Sequence, residues 1–251
     1  FLKLRERNWM LHCSIAAMFA VFSVLTKQTM LPVLFAIPLY VLVVDGLQKF
    51  WRVSLMLGGL FIVCGAIVLS IFGIEPVVFT MFEYPKNMGW HSHLLLSAGL
   101  DTGWTFAIPF LKFSEDLRDG FLLILLLPIF IIGWRISLSK CSHNLRSSLN
   151  SMSMLLLLFA VLLLPVSVLA RAKIGGAMNS YAPTTYFLIA ASVAGTLEII
   201  HSREQTAKHP RLVGIGLLVL CALTMIPTLA PTVIRQIDGK PLEAVWDSAP
   251  Q

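Results

Sequence analysis

The chain has 251 residues, of which 57% are hydrophobic and only 13% are charged, and its mean hydropathy is +0.82. A soluble domain carries about 25% charged residues, so this composition excludes an ordinary water-soluble protein. Several apolar runs reach the roughly 17–25 residues that a helix needs to cross a bilayer. The sequence therefore predicts an all-α protein, a polytopic bundle of transmembrane helices.

The formal net charge of +6 does not indicate a nucleic-acid partner. A nucleic-acid-binding surface requires basic residues clustered on one face. Here the basic residues lie between the apolar runs, where they orient the helices in the membrane. The four cysteines, Cys13, Cys64, Cys141 and Cys221, are scattered, and their spacing suggests neither a metal knuckle nor a disulfide framework.

The apolar runs predict a bundle over residues 1–230 with about seven spans. In chain order, the runs are 9–25, 29–44, 53–73, 118–136, 152–170, 182–200 and 212–230. Residues 74–117 are predicted to be an external loop that carries an interfacial amphipathic helix, because Asp101, Thr102 and Gly103 interrupt its apolar second half. Residues 231–251 are predicted to be an external tail, whose polarity would permit a further C-terminal region.

Orientation follows from the lysines and arginines of the short loops, which favour the cytoplasmic side. With a cytoplasmic N-terminus, that side receives Lys3, Arg5, Arg7, Lys49, Arg52, Arg135, Lys140, Arg146, Arg203, Lys208 and Arg211. Counting 94–112 as a span would reverse every later segment and break this bias. We therefore expect Lys27, the 74–117 loop, the 171–181 segment and the tail to share the non-cytoplasmic side.

Two polar intrusions interrupt the apolar pattern. The first is Thr26-Lys27-Gln28-Thr29, which forms a tight turn between two spans. Charge in such a place is costly unless it sits at an interface or has a partner, so it raises a functional-site hypothesis. Lys27 either snorkels to the headgroup region or holds its ammonium where it meets a lipid phosphate.

The second intrusion runs from Arg171 to Tyr181. Arg171 and Lys173 supply a bidentate donor and a compact point charge for phosphate, and Gly175-Gly176 permits close backbone approach. Asn179 and Tyr181 add neutral hydrogen-bonding groups before the next helix. The alternative is ordinary interfacial anchoring by basic and aromatic residues.

Other polar residues give weaker signals. His91 and His93 are spaced for one face of a strand, but no third ligand lies nearby, so we predict no metal site. Glu75, Glu83 and Asp101 are candidate general bases, and solvated loop charges are the simpler interpretation. No nucleotide-binding loop or nucleophile elbow is present.

Three segments resemble a known family. Leu25-Thr26-Lys27-Gln28-Thr29, running straight into a span, resembles the Lys-Gln hairpin of GT-C membrane glycosyltransferases, the superfamily of protein O-mannosyltransferases and bacterial lipid A glycosyltransferases. Lys173-Ile174-Gly175-Gly176-Ala177-Met178-Asn179-Ser180-Tyr181 resembles the Gly-rich, Asn-Tyr stretch of bacterial members. The loop with Phe79, Tyr84, Pro85 and Trp90 is similar to their later external loops.

The resemblance implies inverting transfer of a sugar from a polyprenyl-phosphate donor to a hydroxyl of a glycan, lipid or protein acceptor, outside a bacterial inner membrane. Lys27, Arg171 and Lys173 would bind the donor phosphate, and Gln28, Asn179 and Tyr181 would shape the substrate pocket. The family's general base lies in the first external loop, upstream of Phe1. We therefore expect this chain to be a fragment that is inactive alone. We expect it to require no organic cofactor, and a requirement for a divalent metal stays open.

Two further hypotheses stay open at this point. A transporter or flippase for an anionic or lipid-linked solute would use the same cations, but should show repeated halves and charges near mid-membrane. A non-catalytic membrane scaffold would not require the cluster from Arg171 to Tyr181.

Overall fold

A computed structural model describes residues 9–26, 28–138, 151–174, 178–203 and 216. The predicted donor-binding Lys27, the Gly175-Gly176 pair, the tail 231–251 and all of the predicted seventh span except Gly216 lie outside the described residues. The chain divides into two compact units, Phe1–Gly195 and Thr196–Gln251, of which the second is described only at residues 196–203 and 216.

The described residues are all-helical, as the composition predicts. The helices are α1 (Trp9–Thr26), α2 (Val33–Asp45), α3 (Leu47–Phe72), α4 (Ile74–Val78), α5 (Tyr84–Asn87), α6 (His93–Ser97), α7 (Ile108–Asp116), α8 (Leu122–Leu138), α9 (Met152–Arg171) and α10 (Ala182–Arg203). Shorter helical turns join them at Gln28–Met30, Phe79–Glu83, Thr102–Ala107, Leu117–Phe121 and Met178–Tyr181.

Four helical stretches are long and apolar enough to cross a membrane, consistent with an integral membrane protein. They are Leu47–Phe72, Gly103–Ile136, Met152–Arg171 and Ala182–Ile200, and the shorter apolar helices are Cys13–Thr26 and Val33–Asp45. Large apolar side chains lie exposed on these helices, with Leu55 and Ile62 of α3 more than 70% accessible. Such surfaces suit contact with lipid rather than water.

The helix α3 begins at Leu47, not at residue 53 where the apolar run starts. Gly46, at φ 95° and ψ 178°, ends α2 and turns the chain directly into α3. Lys49 then bonds back to Asp45 at 3.2 Å across this turn. The hydropathy pattern does not predict residues 47–52 as part of this helix, because the polar side chains among them interrupt the apolar run.

The first three helices form one packed group with α9. Val21 of α1, Val41 of α2 and Val53 of α3 share a buried cluster with Leu163 of α9. Near the start of α9, the Tyr40 hydroxyl donates to the Ser151 carbonyl at 3.4 Å. Because α2 ends beside the start of α9, the two helices run antiparallel. The Gln28–Met30 turn, which also contacts α9, therefore lies toward its Arg171 end.

The later helices pack through a second apolar cluster and one polar pair. Ile124 of α8, Ala160 of α9 and Leu188 of α10 are buried together. The hydroxyls of Ser167 and Thr184 lie 2.8 Å apart in the interior. A buried hydroxyl pair satisfies both polar groups and links α9 to the first part of α10.

Gly46 provides a test of the α2–α3 turn. Its φ and ψ fall in a region that only glycine occupies readily, so we expect Gly46→Ala to destabilise the protein by about 1–3 kcal/mol. Denaturant unfolding in detergent measures the change. Gly58→Ala is the matched control, because no atom lies within 4 Å of the added Cβ. Equal stability of the two variants would contradict the assigned turn.

Candidate functional site

A buried carboxylate lies where the 74–117 segment meets the end of α9. Asp116, the last residue of α7, is only 2% exposed. The Tyr181 hydroxyl donates to its Oδ2 at 3.0 Å, and the Arg171 Nη2 donates to its Oδ1 at 3.4 Å. Two partners from distant parts of the chain therefore compensate the charge that burial isolates from water.

Each partner reaches Asp116 from a fixed position. Arg171 is the last residue of α9, where the apolar run ends. Tyr181 closes the Met178–Tyr181 turn, and its ring stacks on Phe121 with centroids 4.6 Å apart. The stacked ring holds the hydroxyl toward the carboxylate, so the hydrogen bond is set by apolar packing.

A second cation stands one turn earlier on α7. The Lys112 Nζ lies 2.6 Å from Glu115 Oε2 and 3.8 Å from Asp116 Oδ1. The Lys112 side chain is largely buried, whereas that of Glu115 is half-exposed. Lys112 and Arg171 thus approach the same carboxylate oxygen from two helices.

The residues after Arg171 pair with the loop that follows α5. Trp90 and Lys173 form an antiparallel bridge, in which the His91 amide donates to the Ala172 carbonyl at 3.2 Å and the Ile174 amide donates to the Gly89 carbonyl at 2.8 Å. Glycine suits position 89, because a Cβ there would lie 2.9 Å from Ile174 Cδ1. This pairing places the loop directly against the end of α9.

Lys173 is held by two groups of that loop. Its Nζ donates to the Pro85 carbonyl and lies 5.1 Å from the centroid of the Trp90 ring. A cation over an indole face is attracted by the ring's quadrupole. The ammonium therefore has a defined position beside the end of α9.

An apolar cluster supports the polar groups. Leu95, Ile108 and Ala172 are fully buried against one another, with Trp90 and Leu111 packed around them. Ala172 lies between Arg171 and Lys173 in the chain, so its burial fixes the backbone from which both cations extend.

Burial changes the proton affinities of two groups at this site. Burial, and then the neighbouring Asp116, raises the pKa of Tyr181 far above its ordinary value, so its hydroxyl stays protonated and donates. Burial is also the main cause that lowers the pKa of His91, followed by the positive fields of His93, Lys112 and Arg171, while Glu115 opposes them. His91 is therefore neutral near pH 7.

The structure brings together some of the site residues predicted from sequence. Arg171 and Tyr181 meet at Asp116, and Lys173 stands beside them on the paired segment. Gln28 belongs to the turn that contacts α9, and Asn179 to the same turn as Tyr181; the side chains of these two residues are not described. Tyr181 is only 2% exposed, and its hydroxyl binds Asp116.

The sequence-based predictions assign no role to the central residue, Asp116, which lies within the predicted external loop 74–117. A signal was present, since Lys112 and Asp116 are spaced by one helical turn. The rings of His91 and His93 stand edge to face with centroids 5.3 Å apart. Within the described ranges, no group of three or more His, Cys, Asp or Glu side chains is arranged to hold a metal.

Comparison with known proteins identifies no relative: no family model, no curated protein and no solved structure matches the chain.

The Asp116 network predicts a large effect of a small substitution. Asp116→Asn keeps an acceptor for Tyr181 but removes the charge facing Arg171, so we expect a loss of about 3–5 kcal/mol in the free energy of unfolding. Denaturant unfolding in detergent measures it, and Glu115→Gln, which breaks only the half-exposed pair with Lys112, should cost about 0–1 kcal/mol. Similar losses for both variants would contradict a special role for the buried carboxylate.

Proposed function

We propose that this chain is part of a GT-C-like membrane glycosyltransferase that moves a sugar from a polyprenyl-phosphate donor to an acceptor hydroxyl on the non-cytoplasmic face. The observation that carries the proposal is the placement of Arg171 and Lys173 at the end of a helix long enough to span the membrane. The Gln28–Met30 turn lies toward the same end of that helix. A lipid-linked donor presents its phosphate at this level, with its tail among the apolar helices.

The cations suit the chemistry of transfer. The acceptor oxygen attacks the anomeric carbon, the bond from that carbon to the phosphate oxygen breaks, and the electron pair leaves with the phosphate. Negative charge therefore grows on the phosphate in the transition state, and preorganised cations stabilise it. A guanidinium carries five N–H donors, so Arg171 can hold Asp116 and contact a phosphate at once.

We do not propose Asp116 as the general base. Its two oxygens accept hydrogen bonds from Tyr181 and Arg171, and it is shielded from solvent. A base must reach the proton of the acceptor hydroxyl. We propose instead that Asp116 positions Arg171.

We also propose about seven spans, with the start of the chain cytoplasmic and residues 74–117 outside. The stretch Gly103–Ile136 is 34 residues long. At about 1.5 Å per residue it would measure about 51 Å, well beyond a hydrocarbon core of about 30 Å. In our proposal α8 therefore crosses the membrane, while α7, with Ile108 buried and Phe110 exposed, serves as the amphipathic helix of the loop.

A flippase for lipid-linked phosphates is the second candidate. The burial of Asp116 within an apolar helical stretch favours it, because transporters place charged groups inside the membrane. The pairing of Asp116 with Arg171, the last residue of α9, argues for a position near the membrane surface instead.

The phosphate-binding role predicts that Arg171→Ala and Lys173→Ala each weaken binding of undecaprenyl phosphate to the full-length protein by about 10- to 150-fold, the value of one charged contact. Equilibrium binding in nanodiscs measures the effect. Lys86→Ala is the matched control, since Lys86 is an exposed cation of the same loop. Unchanged binding in both site variants would refute the role, and flipping of the lipid without sugar transfer would favour the second candidate.

The proposed topology predicts the sides of two engineered cysteines in a background without native cysteines. A membrane-impermeant maleimide should label Lys86→Cys in intact cells, because residues 74–117 lie outside. Leu47→Cys, at an exposed position of the α2–α3 turn, should react only after permeabilisation. Reversed labelling would invalidate the orientation.

A further inference from the structure

One buried polar atom at the site is left unsatisfied by the rest of the described chain. The Nε2 of His91 is shielded from solvent and has no hydrogen-bond partner among the described residues. An unmade hydrogen bond of this kind costs free energy, so a buried orphan group in a native protein calls for an explanation.

The surroundings of His91 indicate what would satisfy it. Its amide is bonded to Ala172, the residue after Arg171, so the imidazole is anchored beside the end of α9. The charges of Lys112 and Arg171 are close enough to oppose its protonation. Those same positive fields attract an anion, and imidazole donates from Nε2 in one neutral tautomer and in the cation.

The charge balance points the same way. The site has three cations, Lys112, Arg171 and Lys173. Its two carboxylates, Glu115 and Asp116, pair with the first two of these cations. One positive charge therefore remains among these five groups after internal pairing. A ligand with a single negative charge would complete the cluster.

We propose that His91 is a further phosphate-binding residue, whose Nε2 donates a hydrogen bond to a non-bridging oxygen of a singly charged phosphodiester held by Arg171 and Lys173. The inference deepens the proposed function and rests on it. A sugar-loaded polyprenyl phosphate is such a phosphodiester, and soluble phosphodiesters share its chemistry.

A pH dependence follows from this contact. The bound anion stabilises imidazolium, so binding should raise the low pKa of His91 and take up a proton. Affinity should then increase as the pH falls from 7.5 to 5.5. The titratable and charged groups that face His91 are His93, Lys112, Glu115 and Arg171.

The test titrates undecaprenyl methyl phosphate, whose single charge does not change between these pH values, into full-length protein in phosphatidylcholine nanodiscs. We expect His91→Phe to weaken binding by about tenfold. His91→Gln keeps an N–H donor and should bind at pH 7.5 like the original protein, without the gain at pH 5.5. His93→Gln, at an exposed position, is the matched control and should retain that gain.

The outcomes distinguish a failure of the His91 role from a failure of the proposed phosphate site. Loss of binding in Arg171→Ala with no effect of either His91 variant overturns the role of His91 alone. If Arg171→Ala and Lys173→Ala also bind normally, the phosphate site itself fails. Competition by soluble dimethyl phosphate, with the same dependence on His91, shows that the phosphodiester is recognised without its lipid; failure to compete assigns recognition to the lipid-linked form.

Discussion

The arrangement of the site depends on keeping one carboxylate charged in a place that water barely reaches. Asp116 achieves this through Arg171 and Tyr181, which come from the end of α9 and from the turn before α10. Removing Arg171 takes a charged partner away from a buried carboxylate, which is more costly than losing an exposed ion pair. The network therefore ties α7 to α9 and makes the 74–117 segment part of the helical bundle.

A second attachment makes the position of the cations more definite. The bridge between Trp90 and Lys173 fixes the backbone after Arg171. The apolar cluster around Ala172 packs against the same segment. Arg171 and Lys173 thus extend from a backbone segment that is held by both the bridge and the apolar cluster. Each cation is already oriented by a protein group. Charges oriented before a substrate arrives need little reorganisation when negative charge develops, which is the condition for efficient electrostatic stabilisation.

Hydropathy predicts the apolar helices because each is a local property of the chain, and the charge intrusion at Arg171 stands out for the same reason. Asp116 could not be predicted in this way. Its partners are 55 and 65 residues away, so its burial is a consequence of tertiary packing that no local pattern contains. The bridge between Trp90 and Lys173 could not be predicted from the sequence either, because it involves too few residues to produce an alternating pattern of apolar and polar residues. Only the helical spacing of Lys112 and Asp116 carried a local signal.

Under the proposed function, the charges also bear on which lipid-linked donor the cluster would suit. Internal pairing leaves one positive charge among the five charged groups of the site, with a neutral histidine beside them. A phosphodiester brings one negative charge and leaves the cluster balanced, whereas a diphosphate brings more and would leave buried negative charge uncompensated. The leaving monophosphate acquires a second charge as the sugar departs, and a histidine that can then accept a proton would offset it. In this proposal the Asp116 carboxylate has a second effect, since by pairing with Lys112 and Arg171 it reduces the positive charge to an amount that one phosphodiester would match.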